Sequence, residues 1–233
     1  MDHDFVGMHS EDGAAGNTAR QTLFMTAVIS TFFGILYFLG LMGKLIVDGS
    51  IHSTSSPAVS MVSAAVGLLW DSTLVILFVA LRRQITGRRA IFAELGVAFM
   101  ILLAACSSIN WYVQLALVPQ VARSGDALTL ALLDVHNVGS VMYAIEHLAW
   151  SLFFGLATLF MALAIEGGRI ETWIRWLLIA AGVMSILYLP GILAASQFLI
   201  DLGYYAAGVI LPIATALLAI RFRKDPAVSV KKG

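Results

Sequence analysis

The chain is poor in cysteine and in charge. It has one cysteine, five prolines and only 12% charged side chains in 233 residues. A single thiol, Cys106, permits no internal disulfide, no multi-cysteine zinc site and no cysteine-held iron–sulfur cluster. Cys106 lies inside an apolar run and is read as a small packed residue. The shortage of charge excludes more. A soluble domain has about a quarter of its residues charged and about half apolar. Here 60% are apolar and the mean hydropathy is +0.90. A disordered chain and an ordinary cytosolic enzyme are both excluded. Lys and Arg total 14 against 14 Asp and Glu. With no basic excess, a nucleic-acid partner is excluded too. Phosphate-binding glycine loops, Gly-x-Ser-x-Gly, His-Glu-x-x-His and Cys-x-x-Cys are missing as well.

Long apolar runs are what remain. A bilayer-crossing helix needs about 20 mostly apolar residues. Six stretches meet that length: 23–42, 58–81, 91–117, 140–165, 173–189 and 200–220. Their continuity excludes a β-barrel, whose strands alternate over about ten residues. The fourth span sits in a longer apolar stretch, 128–165, which as one helix would reach roughly 57 Å at about 1.5 Å per residue. Asp134, His136, Asn137, Gly139 and Ser140 mark its break. A short surface helix is expected over 126–135, and the span proper from Ser140. Residues 1–20 have no basic start and apolar core of a signal peptide and are read as a disordered tail. Residues 223–233 form a basic tail. The predicted fold is all-α: six transmembrane helices in one bundle.

Charge placement predicts orientation. Arg20, Arg82, Arg83, Arg88, Arg89, Arg169, Arg175, Arg221, Arg223, Lys224, Lys231 and Lys232 fall on one side, and only Lys44 and Arg123 on the other. By the positive-inside rule both termini are expected in the cytoplasm. The expected location is a cell membrane, with short loops that suit a bacterial inner membrane. The zero net charge is then a cancellation between a positive inner side and negative spans and outer side.

Other signals concern packing. Ser30/Gly34, Ser63/Gly67 and Ala181/Ser185 recur at four-residue spacing, which allows close helix approach. Pro190-Gly191 should end the fifth helix and Pro212 should kink the sixth. Trp173 and Trp176 are expected at the inner interface; Trp111, Tyr112, Tyr188, Tyr204 and Tyr205 are expected at the outer one. Trp70 and Trp150 fall near mid-membrane and are expected inside the bundle. An 80-residue shift aligns Ser60, Ala64, Leu68 and Trp70 with Ser140, Ala144, Leu148 and Trp150. The same shift aligns Ile85, Gly87 and Arg89 with Ile165, Gly167 and Arg169. This is a faint parallel repeat.

Polar residues at membrane depth carry the functional signal, because a charge at mid-span costs about 2.5–3.5 kcal/mol on insertion scales. Asp71 lies mid-span with no Lys or Arg at its depth, so its carboxyl must be neutral, hydrated or hydrogen-bonded. Glu146 shares a helix face with Gly139, Met142, Tyr143 and Trp150. His147 shares another with His136, Ser140, Tyr143 and Ser151. Asn110 and Gln114 lie in the outer part of the third span. Glu146, His147, Asp71, Asn110, Gln114 and Tyr143 are therefore the candidate ligand or proton site. Lys44, His136, Asn137, Asp201 and Tyr204 are secondary candidates at similar depth. No metal, haem or other cofactor is expected, and no mid-membrane Lys could hold a retinal.

Three functions fit. The first is a transporter or permease with an outward-facing polar cavity, proton-linked through Glu146 and Asp71. The second is an accessory or scaffold subunit whose polar residues act as interhelical glue. The third is an intramembrane enzyme acting on a lipophilic substrate, with Glu146 or His147 as acid or base. Expected partners are the bilayer, a small-molecule or lipid ligand, and further copies or other membrane subunits.

Overall fold

The computed structural model describes residues 8–48 and 57–223. The basic segment after Arg223 lies outside them. Among the described residues there is no strand. Six stretches are long and apolar enough to cross a membrane: Arg20–Gly40, Met61–Arg82, Gly87–Ser124, Val141–Ala164, Arg169–Leu193 and Gln197–Arg223. By that length and composition the chain is an integral membrane protein with an all-α, six-helix bundle.

The elements are α1 (Met8–Asp48), α2 (Pro57–Arg82), α3 (Ala90–Ala116), α4 (Val118–Ser124), α5 (Ala127–Leu133), α6 (Val141–Leu148), α7 (Phe154–Ala164), α8 (Arg169–Leu193), α9 (Gln197–Tyr205) and α10 (Leu211–Arg223). Helix α1 thus takes in part of the stretch expected as a tail. Neighbours in sequence are neighbours in space. Helix α1 packs on α2, α2 on α3, α3 on α7, α7 on α8 and α8 on α10, and α10 closes the ring on α1. At two of the small residues, Gly34 and Gly67, a side chain of the neighbouring helix fills the space beside the backbone. A methyl group on Gly34 would collide with Pro212 of α10, and one on Gly67 would lie 2.5 Å from the Trp111 indole nitrogen of α3.

Local chemistry explains the breaks. Gly125, at φ 76°, ends α4, and Asp126 caps α5 by accepting from Thr129 N at 3.0 Å and Thr129 Oγ1 at 2.6 Å. Helix α5 falls within the 126–135 segment expected to be helical. Gly139, at φ 100°, turns the chain, and Ser140 caps α6 through Tyr143 N at 2.9 Å.

The fourth and sixth spans each contain one π-turn, over Ala149–Phe153 and Ala206–Ile210. In the first, Ser151 Oγ donates to the His147 carbonyl at 2.5 Å, a back-bond of the kind that bends helices. In the second, the Leu211 N–H bonds the Ala206 carbonyl five residues back. The widened turn lies just before Pro212, which lacks an N–H and crowds the carbonyl four residues earlier. Pro212 is thus accommodated by a π-turn. Pro190 differs from its expected role: α8 continues through it to Leu193. The Pro190 carbonyl accepts from Ala194 N at 2.9 Å and that of Gly191 from Ser196 N at 2.9 Å, and these bonds turn the chain into α9.

The arginine-bearing ends of α2, α8 and α10 meet at one end of the bundle. Arg89 pairs with Glu166 and donates to the Leu163 carbonyl at 3.2 Å; Arg221 pairs with Glu171; Arg82 pairs with Glu94 at 2.5 Å. This is the Arg-rich end.

Candidate functional site

Helix α3 presents Ser107, Asn110 and Gln114 at spacings of three and four, so all three lie on one face. That face is turned inward: Ser107 and Asn110 are fully buried and Gln114 is 8% exposed. Helix α6 supplies the acid that meets it. Asn110 Nδ2 donates to Glu146 Oε2 at 2.9 Å. Trp150, one turn beyond Glu146, donates its indole N–H to Oε1 at 2.8 Å. Ser107 Oγ donates to the same oxygen at a longer 3.4 Å. Three donors from two helices therefore converge on one partly buried carboxyl group.

Asp71 lies across from this group on α2. It is fully buried, and neither of its oxygens has a hydrogen-bond partner in good geometry. The polar groups facing it are Ser107 and Glu146. No Lys or Arg among the described residues pairs with either acid. The Glu146 oxygens are thus well supplied with side-chain donors, whereas the Asp71 oxygens face only the Ser107 hydroxyl. Aromatic rings wall the pair. Tyr37 of α1 packs on Trp70 at 5.5 Å between centroids, and Trp70 packs on Trp150 at 5.6 Å. The Trp70 indole N–H also lacks a partner.

His147 points into a separate aromatic stack. Its ring lies 3.6 Å from Tyr143 and 5.0 Å from Tyr188, and Tyr188 meets Tyr204 edge-on at 5.9 Å. His147 Nδ1 donates to the Tyr143 carbonyl at 2.7 Å, which assigns the proton to that nitrogen. Tyr188 is buried, not at an interface, because α6 and α9 cover it. Trp173, Trp176, Tyr112 and Tyr205 are exposed.

The remaining candidates serve the chain around the site. Gln114 Nε2 donates to the Leu133 carbonyl at 2.7 Å, and its Oε1 accepts from Val135 N at 3.4 Å. It thereby ties the segment after α5 over the end of α3. His136 Nδ1 lies 3.1 Å from Asp134 Oδ1, and Asn137 Nδ2 donates to the Ala131 carbonyl at 2.6 Å. Asp201 accepts from Gln197 at 2.8 Å. These bonds are local, within one or two turns of each residue. The Lys44 side chain lies outside the described residues.

The structure therefore gathers Asp71, Asn110 and Glu146, links Gln114 at one edge, and sets Tyr143, His147 and Tyr204 beside them. Ser107, Tyr37 and Tyr188 join them without having been singled out as site residues. Trp150 was legible in part, since its four-residue spacing puts it on the Glu146 face. Among the described residues no group of three or more His, Cys, Asp or Glu side chains could hold a metal ion. At the opposite, Arg-rich end is a cavity of about 320 Å³ lined by Gln84, Thr86, Arg89, Glu166, Arg221 and Phe222 among others.

Comparison of the chain with protein-family models, curated proteins and solved structures finds no match.

Proposed function

We propose that this protein is a transporter of permease type, linked to protons through the Asp71–Glu146 pair. The supporting observation is that a fully buried Asp71 faces the partly buried Glu146 inside the bundle, with no Lys or Arg paired to either among the described residues. Such acids in a span are costly, and they mark ion or proton paths in membrane proteins. The arrangement suits a site reached from the end opposite the arginines, where Gln114 and the segment after α5 form a thin cover. In this reading the Arg-rich end faces the cytoplasm. The membrane is the cell membrane, and the short loops suit a bacterial inner one. The two π-turns flank the site, and such turns lend a helix local give where function needs it.

A second reading has one observation behind it. Glu146 is supplied with three donors, as a structural polar group would be. On that basis the protein is an accessory or scaffold subunit and the network is glue. Sealed vesicles separate the two. With the full chain reconstituted and a pH gradient imposed, a proton-linked transporter dissipates the gradient and Glu146→Gln stops it while the protein stays folded. A scaffold leaves the gradient intact in both, and Glu146→Gln shifts only thermal stability.

A further inference from the structure

We infer that Asp71, Ser107 and Glu146 form a site for one monovalent cation, with Asp71 as the group that loads it. The inference deepens the transporter reading by naming the bound species, but binding can be read without transport. The two acids have different surroundings. Glu146 receives N–H donors from Asn110 and Trp150 and a longer contact from Ser107. Asp71 receives no N–H donor, is fully buried, and faces only the Ser107 hydroxyl and Glu146. A buried carboxylate with no counter-ion and no neighbour but one hydroxyl and a second acid is too costly to persist. Asp71 therefore needs a positive occupant between itself and Glu146.

The donor set restricts that occupant. Carboxylate and hydroxyl oxygens are hard ligands that suit hard cations and give little hold on soft metals. Fewer than three acidic, histidine or cysteine ligands converge here, which is sparse for a divalent ion with six or more oxygen ligands. A proton or a dehydrated sodium ion shares the required chemistry. Ser107, whose hydroxyl lies beside both carboxyls, is the positioning group: it can accept from a proton carrier on Asp71 or turn a lone pair to an alkali ion. The other titratable groups facing the pair are Tyr37 on α1 and Tyr204 on α9. His147 on α6 is turned into the tyrosine stack, with Nδ1 committed to a backbone carbonyl.

Trp70 and Trp150, packed against each other at the site, provide the readout. Purified full-length protein in lipid nanodiscs is titrated with sodium chloride against N-methylglucamine chloride at constant ionic strength. A separate titration runs from mildly alkaline to mildly acid pH with sodium absent. Tryptophan fluorescence is followed in each. A saturable change with sodium identifies an alkali-ion site; a change with pH that ignores sodium identifies a proton site. In either case Asp71→Asn removes the change, and Ser107→Ala weakens the apparent affinity about tenfold or shifts the midpoint by about one pH unit. Two results overturn the inference: no saturable change in either titration, or a change that Asp71→Asn leaves intact. Should Asp71→Asn not fold, the wild-type titrations and Ser107→Ala decide, a Ser107→Ala response equal to wild type counting against the site. Binding without gradient dissipation in vesicles upholds the site and removes the transporter. Dissipation without binding at Asp71 does the reverse.

Discussion

Asn110 of α3 and Glu146 of α6 are joined by a 2.9 Å hydrogen bond, and it is the shortest polar link between these two helices at the site. Asn110 is fully buried, so losing it leaves a carboxyl oxygen without its main donor. Asn110→Ala should lower stability by about 1–3 kcal/mol, read by thermal unfolding of the purified protein. In a cycle with Glu146→Gln the two losses should be non-additive by at least about 0.5 kcal/mol. Strict additivity would mean that the bond contributes nothing to folding.

At Gly67 of α2 the Trp111 side chain of α3 fills the space a side chain would take. Gly67→Ala should cost about 1–3 kcal/mol by overpacking and lower the melting temperature. Gly43→Ala is the control, because a methyl group there meets nothing within 4 Å and should cause no loss.

Asp126 lies outside the spans, and its carboxyl is held below the usual carboxylate range by the Thr129 hydroxyl and then by the Thr129 amide. A depressed folded value stabilises α5 above the unfolded carboxyl value of about 3.9. That contribution fades as pH falls through the folded value. Amide exchange in α5 should therefore quicken at strongly acid pH in the wild type and at neutral pH in Asp126→Ala. Equal protection of α5 in the two proteins at neutral pH would contradict the cap.

The ion pairs Arg82–Glu94 and Arg89–Glu166 at the Arg-rich end are at least a third exposed on each partner. Exposed pairs contribute about 1 kcal/mol or less. Glu94→Gln and Glu166→Gln should each shift stability by no more than that, and the shift should shrink at high salt. A larger, salt-independent loss in either variant would show that the pair holds the helix ends together more tightly than its exposure implies.

The fold was largely legible because span length and loop breaks are local properties. Six apolar runs, the break at Asp134–Ser140 and the small residues Gly34 and Gly67 all appear in the structure where hydropathy and spacing place them. Helix ends were less legible. Pro190 stays within α8 because the following carbonyls find partners in the turn to α9, a tertiary outcome with no sequence signature. At the site, Glu146 and Trp150 share a face through spacing on one helix. The meeting of Glu146 with Asn110 and Ser107 depends on how α3 packs against the fourth span. Ser107 is one of many serines in apolar runs, and nothing local distinguishes it. Depth alone grouped His136, Asn137 and Asp201 with the site, but the structure bonds His136 to Asp134, Asn137 to the Ala131 carbonyl and Asp201 to Gln197.

The carboxyl pair as an ion-carrying centre is tested most directly by proton movement across sealed vesicles containing the full chain. An imposed pH gradient is followed with a dye trapped inside. The account predicts that the gradient collapses at a rate proportional to the protein content, and that Glu146→Gln and Asp71→Asn each hold it at the protein-free rate while folding normally. Collapse in Glu146→Gln as fast as in the wild type, or no collapse above protein-free vesicles in the wild type, would contradict it.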